Sequence, residues 1–156
     1  MTILIWRDTQ DPIWKYEVSE EYYHRREHRL ETGMRESKQM QFYSVAFGVV
    51  DELWIHKGYR WNGSNVVLDT RWDMLASCVH DVDTQCMTAG LLAATWTNWR
   101  RAASEYRRNC VIEAKRLGLR RWKLAVVRSR AWSRYTGICS GWLISNPRKA
   151  GKERGE

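Results

Sequence analysis

Proline and phenylalanine are rare in this 156-residue chain, which contains two of each together with ten glycines. So little proline and glycine excludes collagen-like and low-complexity sequences. No apolar run approaches the roughly 20 residues of a membrane span. Charges at Arg7, Asp8 and Asp11 interrupt the N-terminal region, so a secretory signal is not expected. The sequence therefore predicts a globular protein of a reducing cytoplasm.

Cysteine occurs four times but never in the CxxC spacing that is typical of zinc ribbons. Cys78 and Cys86 share a predicted helix, where eight residues span about 12 Å, too far for a disulfide. Together with Cys110 and Cys139, they are expected to be free side chains that behave as small buried hydrophobic groups.

Charge is distributed unevenly along the chain, whose net charge is +8. Residues 1–97 contain 10 Lys/Arg and 14 Asp/Glu, a net charge of −4, whereas residues 98–135 contain 12 Lys/Arg and two Glu, a net charge of +10. Tryptophan is abundant, with ten residues. Because a core of this size cannot enclose all of them, some are expected at the rim or at interfaces.

Apolar periodicity predicts a single α+β domain over residues 1–145 and a basic polar tail over residues 146–156. An N-terminal antiparallel hairpin or small sheet is expected, because Trp14, Tyr16 and Val18 alternate with polar residues. A second hairpin is predicted over residues 42–56, with Asp51-Glu52 as its turn. Residues 19–36 fit either a strand with a long polar turn or a solvated helix.

Three packed helices are predicted to follow the strands. The first starts after Thr70, where Asp73 completes a capping-box pattern, and ends at Gly90. The second covers residues 98–117 and ends at Gly118. The third covers residues 120–135 and is closed by Gly137. Its periodicity predicts an inward face made of Trp122, Ala125, Val126, Ser129 and Trp132.

Two neighbouring segments hold the residues with catalytic potential: GYRWNGS at 58–64, followed by LDT at 68–70, and SCVHD at 77–81. His80 and Asp81 diverge by about 100° on a helix, so they do not form a bonded dyad. They can serve one site, with His80 as general base and Asp81 as cation ligand. The glycine-bearing loop can supply carbonyl oxygens to a hard cation such as calcium. The alternative is a structural histidine beside a surface aspartate.

These segments resemble a phage-encoded domain-of-unknown-function family. Its members typically read kGyxWDGaSgPTiDT, then mxxSlvHDaLYQl, then a helix carrying R..aD and a final Arg-rich helix. The resemblance covers about residues 45–140. The His-Asp helix is also similar to that of secreted calcium-dependent phospholipases, in which the histidine activates water and the aspartate holds calcium. The resemblance implies Asn62 and Asp69 as further candidate metal ligands.

The chain departs from the family pattern at three supporting positions. Asn62 stands where the family has aspartate, and Asp83-Thr84 stands where it has Leu-Tyr. The aspartate of the family's next helix has no acidic equivalent here, since Ala103, Ser104 and Asn109 fall nearest. A protein that has kept the family's scaffold but lost its active site would show this pattern. A protein with an altered active site would show it too.

The helical part of the chain carries a broad set of cations that forms a candidate interaction surface. A solvated face, a phosphate contact with nucleic acid and a protein partner are the three interpretations. No helix-turn-helix or zinc-finger pattern accompanies them, so any nucleic-acid contact would be non-specific. The cations are Arg100, Arg101, Arg107, Arg108, Arg116, Arg120, Lys123, Arg130 and Arg134.

Three functional hypotheses follow. The first is a non-enzymatic bacteriophage protein, made in the host cytoplasm and built into the virion, which binds other particle proteins or copies of itself. The second is a metal-dependent hydrolase of lipid or cell wall, acting in lysis through His80 and Asp81 with a divalent cation. The third is a host-defence inhibitor that binds a nucleic-acid-handling complex through its basic helices.

Overall fold

The computed structural model describes residues 4–11, 13–31, 38–40, 43–45, 49–63 and 70–145. Within these ranges, strands come first and helices follow, which confirms the predicted α+β arrangement. The strands are β1 (Trp6–Asp8), β2 (Tyr16–Val18), β3 (Tyr22–Glu31), β4 (Lys38–Met40), β5 (Tyr43–Val45), β6 (Val49–Ile55) and β7 (Arg60–Trp61). The helices are α1 (Met74–Thr88), α2 (Trp96–Arg116) and α3 (Arg121–Ser145).

The strands form two small antiparallel sheets. In the first, β2 lies between β1 and β7, with Trp6 opposite Val18 and Tyr16 opposite Trp61. In the second, the order is β3-β6-β5-β4. Val18 and Trp61 are fully buried, so the alternation predicted for β2 directs one side of the first sheet into the core.

The segment that fitted either helix or strand is a strand over Tyr22–Glu31, while residues 32–36 lie outside the described part of the chain. Tyr22, His24 and Arg26 are buried, whereas Arg25 is exposed. This period of two places three polar side chains against the helices. Helical periodicity would have distributed them around an axis instead.

The predicted turn at Asp51-Glu52 is wrong. Both residues lie inside β6; Glu52 is opposite Arg25, and the register with β3 shifts at Asp51, before the next pair, Leu30 opposite Val50. A pair of acidic residues resembles turn composition, but here the pair falls at an irregularity of the β3–β6 ladder, and β6 continues on both sides of it.

The ends of α1 and α2 follow the predicted signals in part. Asp73 accepts a hydrogen bond from the Thr70 backbone N–H at 2.8 Å, but the Thr70 hydroxyl makes no return bond, so half of the capping box forms. Thr95 caps α2 by accepting from the Asn98 N–H at 3.2 Å. Both helices terminate before a glycine with positive φ, at Gly90 and Gly118, as predicted.

The third helix differs from its prediction in length and in rotation. It continues through Gly137 to Ser145. Val127 and Ala131 point inward and are buried, whereas Trp122, Val126 and Trp132 are 63%, 50% and 52% exposed. Small side chains on the inward side let α3 approach the Cys110 and Ala114 side of α2 closely. The apolar stripe that the sequence placed in the core therefore faces outward.

The core has two clusters. One lies between the strands and α1, and the other lies between α2 and α3 around Tyr106, Cys110 and Ala131.

All four cysteines are free and buried, as predicted. Burial raises the pKa of Cys110 to about 12, which keeps this thiol protonated at neutral pH.

The rotation of α3 is testable with two alanines of the same helix. Ala131→Leu should lower the free energy of unfolding by about 1–3 kcal/mol, because Ala131 is fully buried against α2 and a larger side chain overpacks the contact. Ala125→Leu is the matched control; Ala125 is exposed, so a change within about 0.5 kcal/mol is expected. Urea unfolding measures both, and a larger loss for Ala125→Leu would contradict the observed rotation.

Candidate functional site

His80 and Asp81 lie in the middle of α1, beside α2. The His80 Nδ1 and the nearer Asp81 carboxylate oxygen are 3.7 Å apart, longer than a hydrogen bond. The His80 ring meets Trp99 and Tyr106 of α2 edge-on, with centroid distances of 6.2 and 5.9 Å. These contacts make His80 part of the α1–α2 packing, and a general-base role for it stays a prediction.

The calcium ligands inferred from the resemblance are only partly within the described chain. Asp69 lies outside it. The Asn62 side-chain oxygen is buried and has no hydrogen-bond partner among the described residues. Among those same residues, no group of three or more His, Cys, Asp or Glu side chains is arranged to hold one metal ion. A cation site at Asp81, Asn62 and Asp69 therefore stays a prediction.

The glycine-bearing loop and α1 meet at a cavity of about 560 Å³. Glu17 on its wall accepts hydrogen bonds from Arg60 at 2.8 Å and from Arg7 at 2.5 Å. These guanidinium groups lower the pKa of Glu17 and keep it ionised. Asp81 lies on α1 one helical turn before Gln85, which is one of the residues that line the cavity. The lining residues are Asp11, Trp14, Glu17, Gly58, Tyr59, Arg60 and Gln85.

A buried polar network joins β3 to α2. His24 Nε2 lies 2.8 Å from the Glu105 carboxylate, and Tyr22 Oη lies 3.3 Å from His24 Nδ1. Arg108 donates a further hydrogen bond to Glu105 at 3.1 Å. Burial acts to raise the pKa of Glu105, but the hydrogen bond to His24 and the charges of His24 and Arg108 leave it below its usual value. The carboxylate is therefore ionised in the interior.

A second buried pair joins β3 to α1. Arg26 contacts both oxygens of Asp83, with one N–O distance of 2.9 Å, and both side chains are almost fully buried. Asp83 is one of the departures from the family pattern, and Arg26 compensates for its charge. The sequence carried a signal for this pair, since Asp83 falls within the apolar stretch of α1 and Arg26 alternates with Tyr22 and His24.

The predicted cationic surface divides into several environments. Arg134 is bound at 2.5 Å to both Asp73 and the Tyr106 hydroxyl, and Arg116 is bound to Glu113 at 2.7 Å. Arg107, Lys123 and Arg130 lie over the rings of Trp132, Trp122 and Trp72 at 4.9, 5.4 and 5.3 Å. Arg100 and Arg120 are exposed. Much of the cationic set therefore packs on tryptophan or on carboxylates of the same chain.

The outward side of α3 combines large apolar side chains with cations. Trp122 and Val126 are one turn apart, whereas Trp132 lies about 15 Å further along the helix and about 80° around it from Trp122. Arg121 and Arg128, seven residues apart, border this stripe; both are exposed. We define the α3 face as Trp122, Val126, Trp132, Arg121 and Arg128. Residues 114–145 contain eight Lys/Arg and no Asp or Glu.

Comparison with known protein families, with curated proteins and with solved structures finds no match for this chain. The resemblance to the phage family therefore remains a prediction from the motifs. None of the described helices is both long and apolar enough to cross a membrane.

The Arg26–Asp83 pair predicts a strong non-additivity. Arg26→Met and Asp83→Leu should each lower the free energy of unfolding by about 3–5 kcal/mol, because each leaves an uncompensated charge in the interior. The double variant removes both charges and should regain most of the loss. Urea unfolding of the four proteins checks this, and additive losses in the double variant would contradict the buried pairing.

The lowered pKa of Glu105 predicts a pH dependence of stability. A carboxyl group with a depressed folded-state pKa contributes stability above its unfolded value of about 4.3, and this contribution is lost as pH falls through the folded value. Glu105→Gln should therefore be less stable than the natural chain at pH 7, and the difference should shrink below about pH 4. Thermal unfolding between pH 3 and 7 measures it; a constant difference would argue against this ionised state.

Proposed function

We propose that this protein is a structural assembly component of a bacteriophage particle and binds a neighbouring protein subunit through the α3 face. The observation that carries the proposal is the outward position of Trp122, Val126 and Trp132, each at least half exposed on one helix. The phage setting comes from the motif resemblance. The α3 face is the proposed binding surface, and the motif resemblance is the reason for placing it in a bacteriophage particle.

The composition of the α3 face supports a protein partner. Tryptophan and arginine are the residues that most often dominate binding energy at protein interfaces. A contiguous exposed apolar patch bordered by polar residues is typical of an interaction site. Because residues 114–145 contain no acidic side chain, the partner is expected to present carboxylates around an apolar centre.

The surroundings of His80 favour this function over hydrolysis. Its ring packs against Trp99 and Tyr106, and Asp83, which stands where the family has leucine, is fully engaged with Arg26. The departure at Asp83 therefore has a structural explanation within this chain, and His80 has a packing role. A binding protein whose interior is held together by these contacts explains both residues without assigning a catalytic role to either.

The proposal predicts the presence of the protein in purified particles and its dependence on the α3 face. In particles of the phage that encodes it, Trp122→Ser/Val126→Ser should lower incorporation about tenfold or more, since removing interface anchors typically costs 2 kcal/mol or more. Trp54→Ser is the matched control, because Trp54 is also 50% exposed but lies on β6. Quantitative mass spectrometry of purified particles is the measurement.

Two results would contradict the proposal. One is absence of the natural chain from purified particles although it is produced in the host. The other is equal incorporation of the α3 variant and the Trp54 control. Circular dichroism of each purified variant establishes that a loss of incorporation does not come from unfolding.

A further inference from the structure

We infer that the cavity beside the glycine-bearing loop binds a neutral saccharide, with Trp14 and Gln85 as contacts. This goes beyond assembly through the α3 face, because the cavity and that face share no described residue. The cavity volume of about 560 Å³ lies within the range of roughly 300–1,000 Å³ that is typical of small-molecule sites. Three parts of the fold meet at the cavity: the turn between β1 and β2, the paired strands β2 and β7, and α1.

Hydrogen bonds within the β1–β2 turn hold Trp14 at the cavity wall. Asp11 Oδ1 accepts from the backbone N–H groups of Ile13 and Trp14 at 2.8 and 3.2 Å. The Thr9 hydroxyl donates to the Trp14 carbonyl. Trp14 is partly exposed, and one face of a pyranose ring carries mainly C–H groups that pack well on an indole. The turn therefore supplies a fixed aromatic surface of the kind that a sugar ring contacts.

The charged groups of the wall balance one another. Glu17 accepts hydrogen bonds from Arg7 at 2.5 Å and from Arg60 at 2.8 Å, and Arg60 also lies 3.4 Å from Asp11. An anion in the cavity would meet the carboxylates, and a cation would meet the guanidinium groups. A neutral ligand with several hydroxyl groups can donate to the carboxylates and accept from the guanidinium groups while these pairs stay intact.

Gln85 adds hydrogen-bonding capacity that the fold does not use. Its side-chain amide makes no hydrogen bond to the residues that the structure describes, and it is partly exposed at the cavity. An amide donates two hydrogen bonds and accepts two, so it can bond to neighbouring hydroxyl groups of one ligand. Among the described lining residues none is aliphatic. The wall therefore suits a polyhydroxylated ligand better than an apolar one.

The two carboxylates of the wall favour binding over cleavage of a glycosidic bond. Cleavage needs one carboxyl group that stays protonated until it acts as the general acid. The backbone N–H groups of Ile13 and Trp14 lower the pKa of Asp11, and the guanidinium groups of Arg60 and Arg7 lower the pKa of Glu17. Both carboxylates are therefore ionised at neutral pH, so a bound saccharide should stay intact.

The test is a titration of the whole chain with chitotriose and with maltotriose, followed by nuclear magnetic resonance of the backbone amides. At least one of these neutral trisaccharides should shift the Gly58 and Arg60 signals saturably at concentrations up to about 10 mM. Gln85→Ala should raise the Kd about threefold or more, because it removes hydrogen bonds to the ligand. Trp14→Ala should raise it about tenfold or more, because the aromatic surface is lost.

Gln10→Ala is the matched control. Gln10 is exposed in the same turn and does not line the cavity, so the Kd should stay within about twofold of the natural value. Circular dichroism establishes that each variant is folded. Gln85→Ala decides the matter if Trp14→Ala fails to fold, because the Gln85 side chain makes no hydrogen bond to the described part of the chain.

Four results would overturn the inference. The first is no saturable shift with either trisaccharide, and the second is larger shifts with inorganic phosphate or with free arginine than with both trisaccharides. The third is an equal Kd for Gln85→Ala and Gln10→Ala. The fourth is cleavage of a trisaccharide during the titration, which would make the site catalytic. Particle incorporation through the α3 face is measured separately and does not depend on any of them.

Discussion

The structure depends on the buried polar pairs that β3 makes with the helices behind it. Arg26 is bound to Asp83 of α1, and His24 is bound to Glu105 of α2, with all four side chains removed from water. An unpaired charge in such a place costs several kcal/mol, so each pair fixes the position of the strand relative to one helix. The two pairs, two residues apart on β3, together hold both helices against the same strand.

The sequence indicates that Arg26 and Asp83 are buried, but which residue pairs with which is beyond what it can predict, whereas the local signals were more informative. Tyr16 and Val18 show the strand period, and Gly90 and Gly118 mark helix ends through a backbone conformation that glycine adopts easily. His24 and Glu105, by contrast, are 81 residues apart in sequence. Nothing local indicates that one faces the other, and the α1 motif by itself does not show that Asp83 is paired with Arg26.

The error on α3 has a related cause. Apolar periodicity shows that Trp122 and Val126 share a helix face, but it does not tell whether that face meets the same chain or a different one. Small residues decide the packing here, since Ala131 and Val127 allow close contact with α2. For the candidate site, Gly58–Arg60 of the glycine-bearing motif line a cavity together with Gln85, whereas the predicted residues His80, Asp81 and Asn62 are not among its lining residues. The calcium ligands inferred with them include Asp69, which lies outside the described residues.

Asp73 links the start of α1 to α3. One of its carboxylate oxygens holds the Thr70 backbone before α1, and the other holds Arg134 of α3. The start of one helix and the orientation of another therefore share a single buried side chain. A force applied to the outer side of α3 would be transmitted through Arg134 to the first turn of α1. Through the hydrogen bond between Asp73 and the Thr70 N–H, the force would then reach Thr70, at the end of the segment between β7 and α1.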